Sequence, residues 1–589
     1  MGGGSDTRRG VACGMWTHGR RVLWLGLCVV PMPFAWAQTS PTEGAAQELL
    51  RQQERERQLR QQQETQPDVR LERAAAEDET RLPVDESPCF RIDRITLTGV
   101  AAEQFQWALK AASPKGDQAT GRCLGAAGIN MVMKRVQNAI VARGYVTTRV
   151  LASPQDLRQG TLALTLIPGR ISAIRFTDDS NRRATKWNAV PAAPGDILNL
   201  RDIEQGLENF KRVPTADADI QIAPAQGPHA QPGESDLVIA WKQGVPFRLS
   251  ASADDSGSRA TGKYQGSVTV SYDDWWTLND LLYVSLSHDL SGLTTSSDSA
   301  NGKGTRGHTV HYEVPYDYWL LGFTASSYNY YQSVAGASQT YVYSGSSNNG
   351  EVRFSRLFYR DAVRKTTAYL RGWARSSRNA IDDTEVLVQR RRMAGWELGL
   401  NHREFIGAAT LDAGMAYRRG TGMQDSLRAP EEAFDEGTSR PSIITLDAQL
   451  NLPFSAGSQR MRFSTTWRGQ WNRTSLVPQD RFSIGGRYTV RGFDGESTLT
   501  GDRGWLVRNE LSWAVGSTGQ EVYAGADYGE VGGPSSRLLI GRQLAGGVIG
   551  LRGGYRGVFW DVFLGTPLSR PEGFHTGSTT TGFSLNWSY

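Results

Sequence analysis

The 589-residue chain is poor in the features that most functional classes require. After its first forty residues it contains no apolar run of the roughly 18 residues that a membrane-crossing helix needs. It has seven histidines, with no ligand or triad grouping among them, and at their odd spacing His308 and His311 point to opposite faces of a strand. No GxxxxGK(S/T) phosphate loop occurs, so neither nucleotide nor any other cofactor is called for, and no coupled nucleophile indicates an enzyme. Charge nearly cancels, with 65 Lys and Arg against 60 Asp and Glu, and the net +5 is too small to argue for nucleic acid. Cysteine is scarce, at positions 13, 28, 89 and 123 only.

The compartment follows from the N-terminus. Arg20 and Arg21 precede VLWLGLCVV (Val22 to Val30), and AWA (Ala35 to Ala37) offers small residues at both recognition positions of a cleavage site. Residues 1–37 read as a secretory signal peptide. Leu27, ahead of Cys28, is too large for a lipoprotein site, so the mature chain should begin at Gln38. Cleavage leaves Cys89 and Cys123 in an oxidising space, where they either form one disulfide or stay as buried thiols. A bridge would close a loop of about 35 residues and stabilise a small subdomain by roughly 3 kcal/mol.

What is abundant is glycine and aromatic side chains: 65 Gly, 17 Trp, 20 Tyr and 19 Phe, with a mean hydropathy of −0.43. That is the composition of an outer-membrane barrel, whose strands are only half apolar. Four zones follow the signal peptide. QELLRQQERERQLRQQQE (Gln47 to Glu64) consists of good helix formers, with 7 Gln, 4 Arg, 4 Glu and 3 Leu, but no apolar stripe runs along it. Such a helix is either a solvated arm or is housed in a polar cavity. Residues 67–87 read as a linker. Residues 88–168 then follow a βααββ order, and 169–244 repeat it without cysteines, with a short helix expected around Lys186 to Val190 and a longer one over RDIEQGLENF (Arg201 to Phe210).

From Pro246 to Tyr589, period-2 alternation dominates. In MRFSTTWRGQW, Met461, Phe463, Thr465, Trp467 and Trp471 share one face, and Arg462, Ser464, Thr466, Arg468 and Gln470 the other. A face this polar opposite an aromatic one fits a barrel with apolar residues out and polar residues in. The stretch accommodates roughly 14 to 18 transmembrane strands.

This order of parts, together with RVLASPQDLRQGTLALTLIPGRI (Arg149 to Ile171), GDILNLRDIEQGLENFKRVP (Gly195 to Pro214), DDSGSRATGKYQG (Asp254 to Gly266) and GGRYTVRGF (Gly485 to Phe493), resembles the outer-membrane transporters of two-partner secretion. These form the hemolysin-activator and filamentous-hemagglutinin group of the Omp85 superfamily. The resemblance covers the whole mature chain. It implies two POTRA domains in the periplasm, a transmembrane antiparallel barrel of about 16 strands, an N-terminal helix (43–66) able to plug the pore, and a VRGF loop (483–497) folded back into the lumen. It also implies a Gram-negative outer membrane with its lipid as surroundings. The implied client is a large secreted exoprotein: a hemolysin, a hemagglutinin-like adhesin or a contact-dependent inhibition toxin.

Within that loop stand Val490, Arg491, Gly492 and Phe493. An arginine inside a barrel keeps its charge and needs a carboxylate partner. In the family the partner sits in an F-x-D pattern on a nearby strand. VYAGADYGEV (Val522 to Val531) matches it, with Asp527 on the lumen-facing parity, Gly525 beside it, and no phenylalanine at the family's position. Asp561 in FWDVF is a competing inward acid. Client contacts are expected where an open sheet edge and a helix groove meet, with Arg201, Glu204, Leu207 and Phe210 on the helix and Leu237 and Ile239 on the adjacent strand as candidates. A barrel-assembly insertase would carry neither this domain count nor the polar helix, and a passive porin would not need tandem periplasmic domains.

Overall fold

The computed structural model describes residues 41–64, 67–71, 81–226, 228, 230–231, 233–291 and 303–589. The signal-peptide reading over 1–37 lies outside them. The helix expected over 43–66 runs from Pro41 to Gln63, and the chain bends at Glu64.

The first of the two tandem domains has its opening strand split into Phe90–Ile92 and Arg94–Gly99. Arg94–Gly99 pairs in parallel with the central strand Thr161–Ile167, which takes Arg149–Leu151 antiparallel on its other side. The first of the two expected helices is a 3-10 helix, Ala102–Ala112, and the second is the α-helix Ala126–Ala142, whose Val132, Val136 and Ile140 are fully buried against the sheet. Cys89 and Cys123 are bonded, with Cα atoms 5.3 Å apart. Their bridge fastens the small two-stranded pairing of Phe90–Ile92 with Arg122–Leu124, an element the sequence pattern did not suggest.

In the second domain the central strand Glu234–Gln243 pairs in parallel with Arg170–Phe176 and antiparallel with Ala216–Pro224. Its long helix, Leu200–Phe210, starts at Asn199, whose side chain accepts from the amide of Arg201 as an N-cap. The short helix expected around Lys186 to Val190 is a single turn, closed by Ala189 and Val190 amides donating to the Lys186 carbonyl. It goes no further because Pro191 follows at once and the Asn188 side chain is drawn to the barrel, donating to the carbonyls of Leu278 and Pro315.

Sixteen long antiparallel strands and one two-residue strand, Thr384–Glu385, close the barrel. The strands run from 8 residues (Phe247–Asp254) to 21 (Thr340–Arg360), and the last, Thr580–Ser588, pairs back onto the first. Alternation sorts the faces: Val268, Val270, Leu398, Leu400, Val562 and Leu564 are exposed outward, while Thr269, Ser271, Ser285 and Glu397 are buried on the lumen side. Among the described residues no helix is long and apolar enough to cross a membrane.

Candidate export channel

Between the strands Gln459–Asn472 and Arg503–Ala514 the chain leaves the barrel rim opposite the tandem domains and folds back inside. The returning segment carries its own small core: Phe482, Ile484, Val490, Phe493 and Leu499 pack with the wall residues Leu506, Val531 and Leu544 and with Phe574. Phe493 meets Phe574 edge-on at 5.8 Å. Apolar packing thus holds the sides of the loop, and charge holds its tip.

At that tip Arg491 donates from Nε to Asp527 Oδ2 at 2.8 Å and from Nη2 to Oδ1 at 2.9 Å, a bidentate pair, while its backbone amide donates to Oδ2 at 3.0 Å. Its remaining nitrogen, Nη1, reaches Glu510 Oε2 at 2.7 Å. Glu510 also holds Arg552 at 2.8 Å, and Arg508 stands 3.7 Å from Asp527. The site is therefore an alternating network of three arginines and two acids. Glu510, Arg508 and Arg552 were not found from sequence, although all three sit on lumen-facing parity in strands next to Asp527. Asp561 takes no part and instead accepts from the Tyr523 hydroxyl at 2.8 Å. The wall beneath the tip is glycine because the backbones nearly touch: a Cβ at Gly546 would lie 1.8 Å from the Arg491 carbonyl oxygen, and one at Gly525 would lie 2.6 Å from Nη2.

The helix Pro41–Gln63 lies in the lumen and is held from several sides by polar partners. Glu48, fully buried, accepts from the Tyr328 hydroxyl at 2.6 Å and from Thr261 at 3.0 Å, and pairs with Arg55 at 2.8 Å. Further along, Glu54 pairs with Arg468 (2.7 Å), Arg57 with Asp447 (2.8 Å) and Arg60 with Glu351 (2.6 Å). Arg51 donates to the Gly495 carbonyl, joining helix to loop. Cavities of about 770 and 900 Å³ flank the helix, one toward each end of the barrel, so the lumen stays spacious around it.

Residues 233–553 match the family model "Haemolysin secretion/activation protein ShlB/FhaC/HecB", with "POTRA domain, ShlB-type" at 90–169 and "POTRA domain" at 170–224. The chain is 39% identical over 577 residues to outer membrane transporter CdiB-2 of Burkholderia pseudomallei (strain 1026b), covering 94% of this chain and 96% of that one. It belongs to the ShlB/FhaC/HecB family. The solved structure of CdiB from Acinetobacter baumannii superposes with a TM-score of 0.81 at 31% identity, over 92% of this chain and 99% of that one. CdiB of Dickeya dadantii (strain 3937) is 27% identical over 86% of this chain and 87% of its own length. The chain is thus an outer-membrane transporter of two-partner secretion, with its POTRA domains in the periplasm.

The second POTRA domain is locked to the periplasmic barrel rim. Arg360, the last residue of the longest strand, donates to Glu204 at 3.0 Å and to Glu208 at 2.9 Å, and from Nη2 to the Val69 carbonyl at 2.6 Å. The amides of Val69 and Leu71 in turn donate to Glu208 and Glu204 at 2.9 and 3.0 Å. The segment following the lumen helix therefore lies along the POTRA helix Leu200–Phe210. This corrects the expected client contacts. Leu207, Phe210, Leu237 and Ile239 are core residues of the domain, and Arg201 and Glu204 are buried as a mutual ion pair, Glu204 also being held by Arg360 and the linker. Helix-face acids next to an open edge looked available in sequence because the barrel turn and linker that cover them lie far away along the chain.

Proposed function

We propose that the lumen helix is the gate of this exporter and that the loop tip at Arg491 is its fixed brace. The observation that carries the reading is the set of ion pairs and hydrogen bonds between Pro41–Gln63 and the wall: a helix without an apolar stripe exchanges such partners for water at modest cost, so it can leave and return. Deleting Glu43 to Thr65 is expected to raise single-channel conductance in planar bilayers severalfold; unchanged conductance would overturn the gate.

The exported client is proposed to be a contact-dependent inhibition toxin. Transporters named CdiB align with 83–94% of this chain, whereas the hemolysin transporter proteins HpmB and ShlB align with 70–72%. The discriminating experiment is to delete the gene and identify which large protein disappears from the cell surface or medium. Client entry is proposed at the strand Ala216–Pro224, which has no second strand partner among the described residues and offers its edge to an extended chain. A photo-crosslinker at Gln221 that captures no client in secreting cells would remove this edge from the route. Contact with lipid is proposed at the periplasmic rim, where Trp275, Trp276, Tyr316 and the POTRA residue Trp187 are all exposed as an aromatic belt. The chain's work is translocation, and no reaction is assigned to it.

A further inference from the structure

Where the lumen helix ends, three potential metal ligands converge that the export reading does not use. Glu64 comes from the end of the helix, and His311 and Glu313 come from the strand Gly304–Tyr316, two residues apart and so on one face. One donor atom from each lies within 4.8 Å of the other two. His311 and Glu313 are each 5% exposed.

Each of the three is oriented from behind. Thr324 Oγ1 is 2.9 Å from His311 Nδ1, and Tyr283 stacks on the imidazole at 4.9 Å. The Tyr283 hydroxyl donates to Glu64 Oε1 at 3.0 Å, and Arg212 donates to Glu313 Oε1 at 3.1 Å. Such outer partners commonly fix metal ligands. His311 Nε2 is buried without a hydrogen-bond partner and faces Glu313 Oε2 at 3.7 Å. Nδ1 stands 2.9 Å from Thr324 Oγ1 and 3.5 Å from Glu64 Oε1; with its proton on that side, Nε2 presents a lone pair to Glu313, an arrangement that a cation between them turns from repulsive to attractive.

We infer that Glu64, His311 and Glu313 bind a divalent transition ion of the zinc class and that the bound ion fastens the lumen helix to the barrel wall. One imidazole and two carboxylates form a donor set that zinc accepts, with a fourth position left for water. Tetrahedral zinc spaces its donors about 3.4 Å apart, close to the 3.7 Å found between Nε2 and Oε2. The ion would also add to the charge that offsets the two carboxylates, of which that of Glu313 is paired with Arg212 at 3.1 Å and that of Glu64 lies near Arg60 without a direct bond to it. Because one ligand leaves with the helix while two remain on the wall, the intact site exists only with the helix in place. Zinc at about ten times its dissociation constant should therefore raise the ratio of closed to open channels about tenfold.

The site rests on geometry alone, whereas its effect on opening rests on the gate proposed above, and two measurements separate them. Titrating tag-free protein in detergent with ZnCl₂ by calorimetry should show one site, weakened at least tenfold in both His311→Gln and Glu64→Gln. In planar bilayers, micromolar ZnCl₂ should shorten openings of the wild type, EDTA should reverse this, and His311→Gln should not respond. No zinc binding, or equal binding by wild type and His311→Gln, overturns the site. Closure by acid alone that is lost in His311→Gln, with no zinc heat, assigns the place to a proton and also overturns it. His311-dependent zinc binding that leaves conductance unchanged upholds the site and overturns the gating role.

Discussion

Arg491 is useful because its surroundings leave it no alternative partner arrangement. A guanidinium 7% exposed against a fully buried Asp527 is a pair whose separation strands a charge, at a cost of about 3–5 kcal/mol. Asp527→Asn should therefore lower the thermal transition of the barrel, measured by heat-modifiability on gels, more than Glu510→Gln, because Asp527 also holds the Arg491 amide. Gly546→Ala should go further, since the methyl would meet a backbone carbonyl that cannot swing away. Its expected outcome is a displaced loop that trypsin cuts at Arg491 in intact cells, with client secretion reduced in parallel. Asp527 was legible in sequence through strand parity and the spacing of one motif. Glu510 and Arg552 were not, because the register between neighbouring barrel strands, which sets who faces whom, is not written in either strand alone.

At the scale of elements, the junction between POTRA helix and barrel turn carries a titrating group. Burial raises the Asp202 carboxyl from its ordinary 3.8 to about 6, against the pull of the Tyr318 hydroxyl, which donates to it; the acids Asp196 and Asp317 push in the same direction as burial. A raised carboxyl favours the protonated folded form, so its support for the junction is full below about pH 4, declines as pH rises toward 6, and is flat above that. Differential scanning at pH 5 and pH 7 should show a loss of stability with rising pH that Asp202→Asn abolishes; an identical slope in the variant would place the titration elsewhere. The polar helix, by contrast, was readable from its residues as a helix, and as an occupant of the lumen only through the family resemblance. Its composition excluded a packed apolar face, whereas its destination depends on Arg468, Asp447 and Glu351, which belong to three different strands. The one-turn segment at Lys186 failed as a helix for a similar reason, since the acceptors for Asn188 lie on the barrel.

Across the whole molecule, stability is divided unevenly. The barrel is closed by its own ladders, whereas the first POTRA domain relies on a compact core and one covalent tie over a separation of 34 residues. Reduction with dithiothreitol, or Cys123→Ser, is expected to cost that domain roughly 3 kcal/mol. Limited proteolysis should then cut within 90–125 while the barrel stays heat-modifiable. The order of helix, tandem domains and barrel was legible because each part has its own period and composition. How the parts lean on one another was not, because ion pairs such as Arg360 with Glu208 span both. The lumen helix, finally, sets a gauge. With its side chains a helix fills a cylinder roughly 10–12 Å across, and a single extended chain fits in the lane it vacates. A folded domain of 100 residues, with a radius of gyration of about 13 Å, does not. If the helix is the gate and its lane the route, the cargo should arrive at the channel unfolded and cross it as an extended chain.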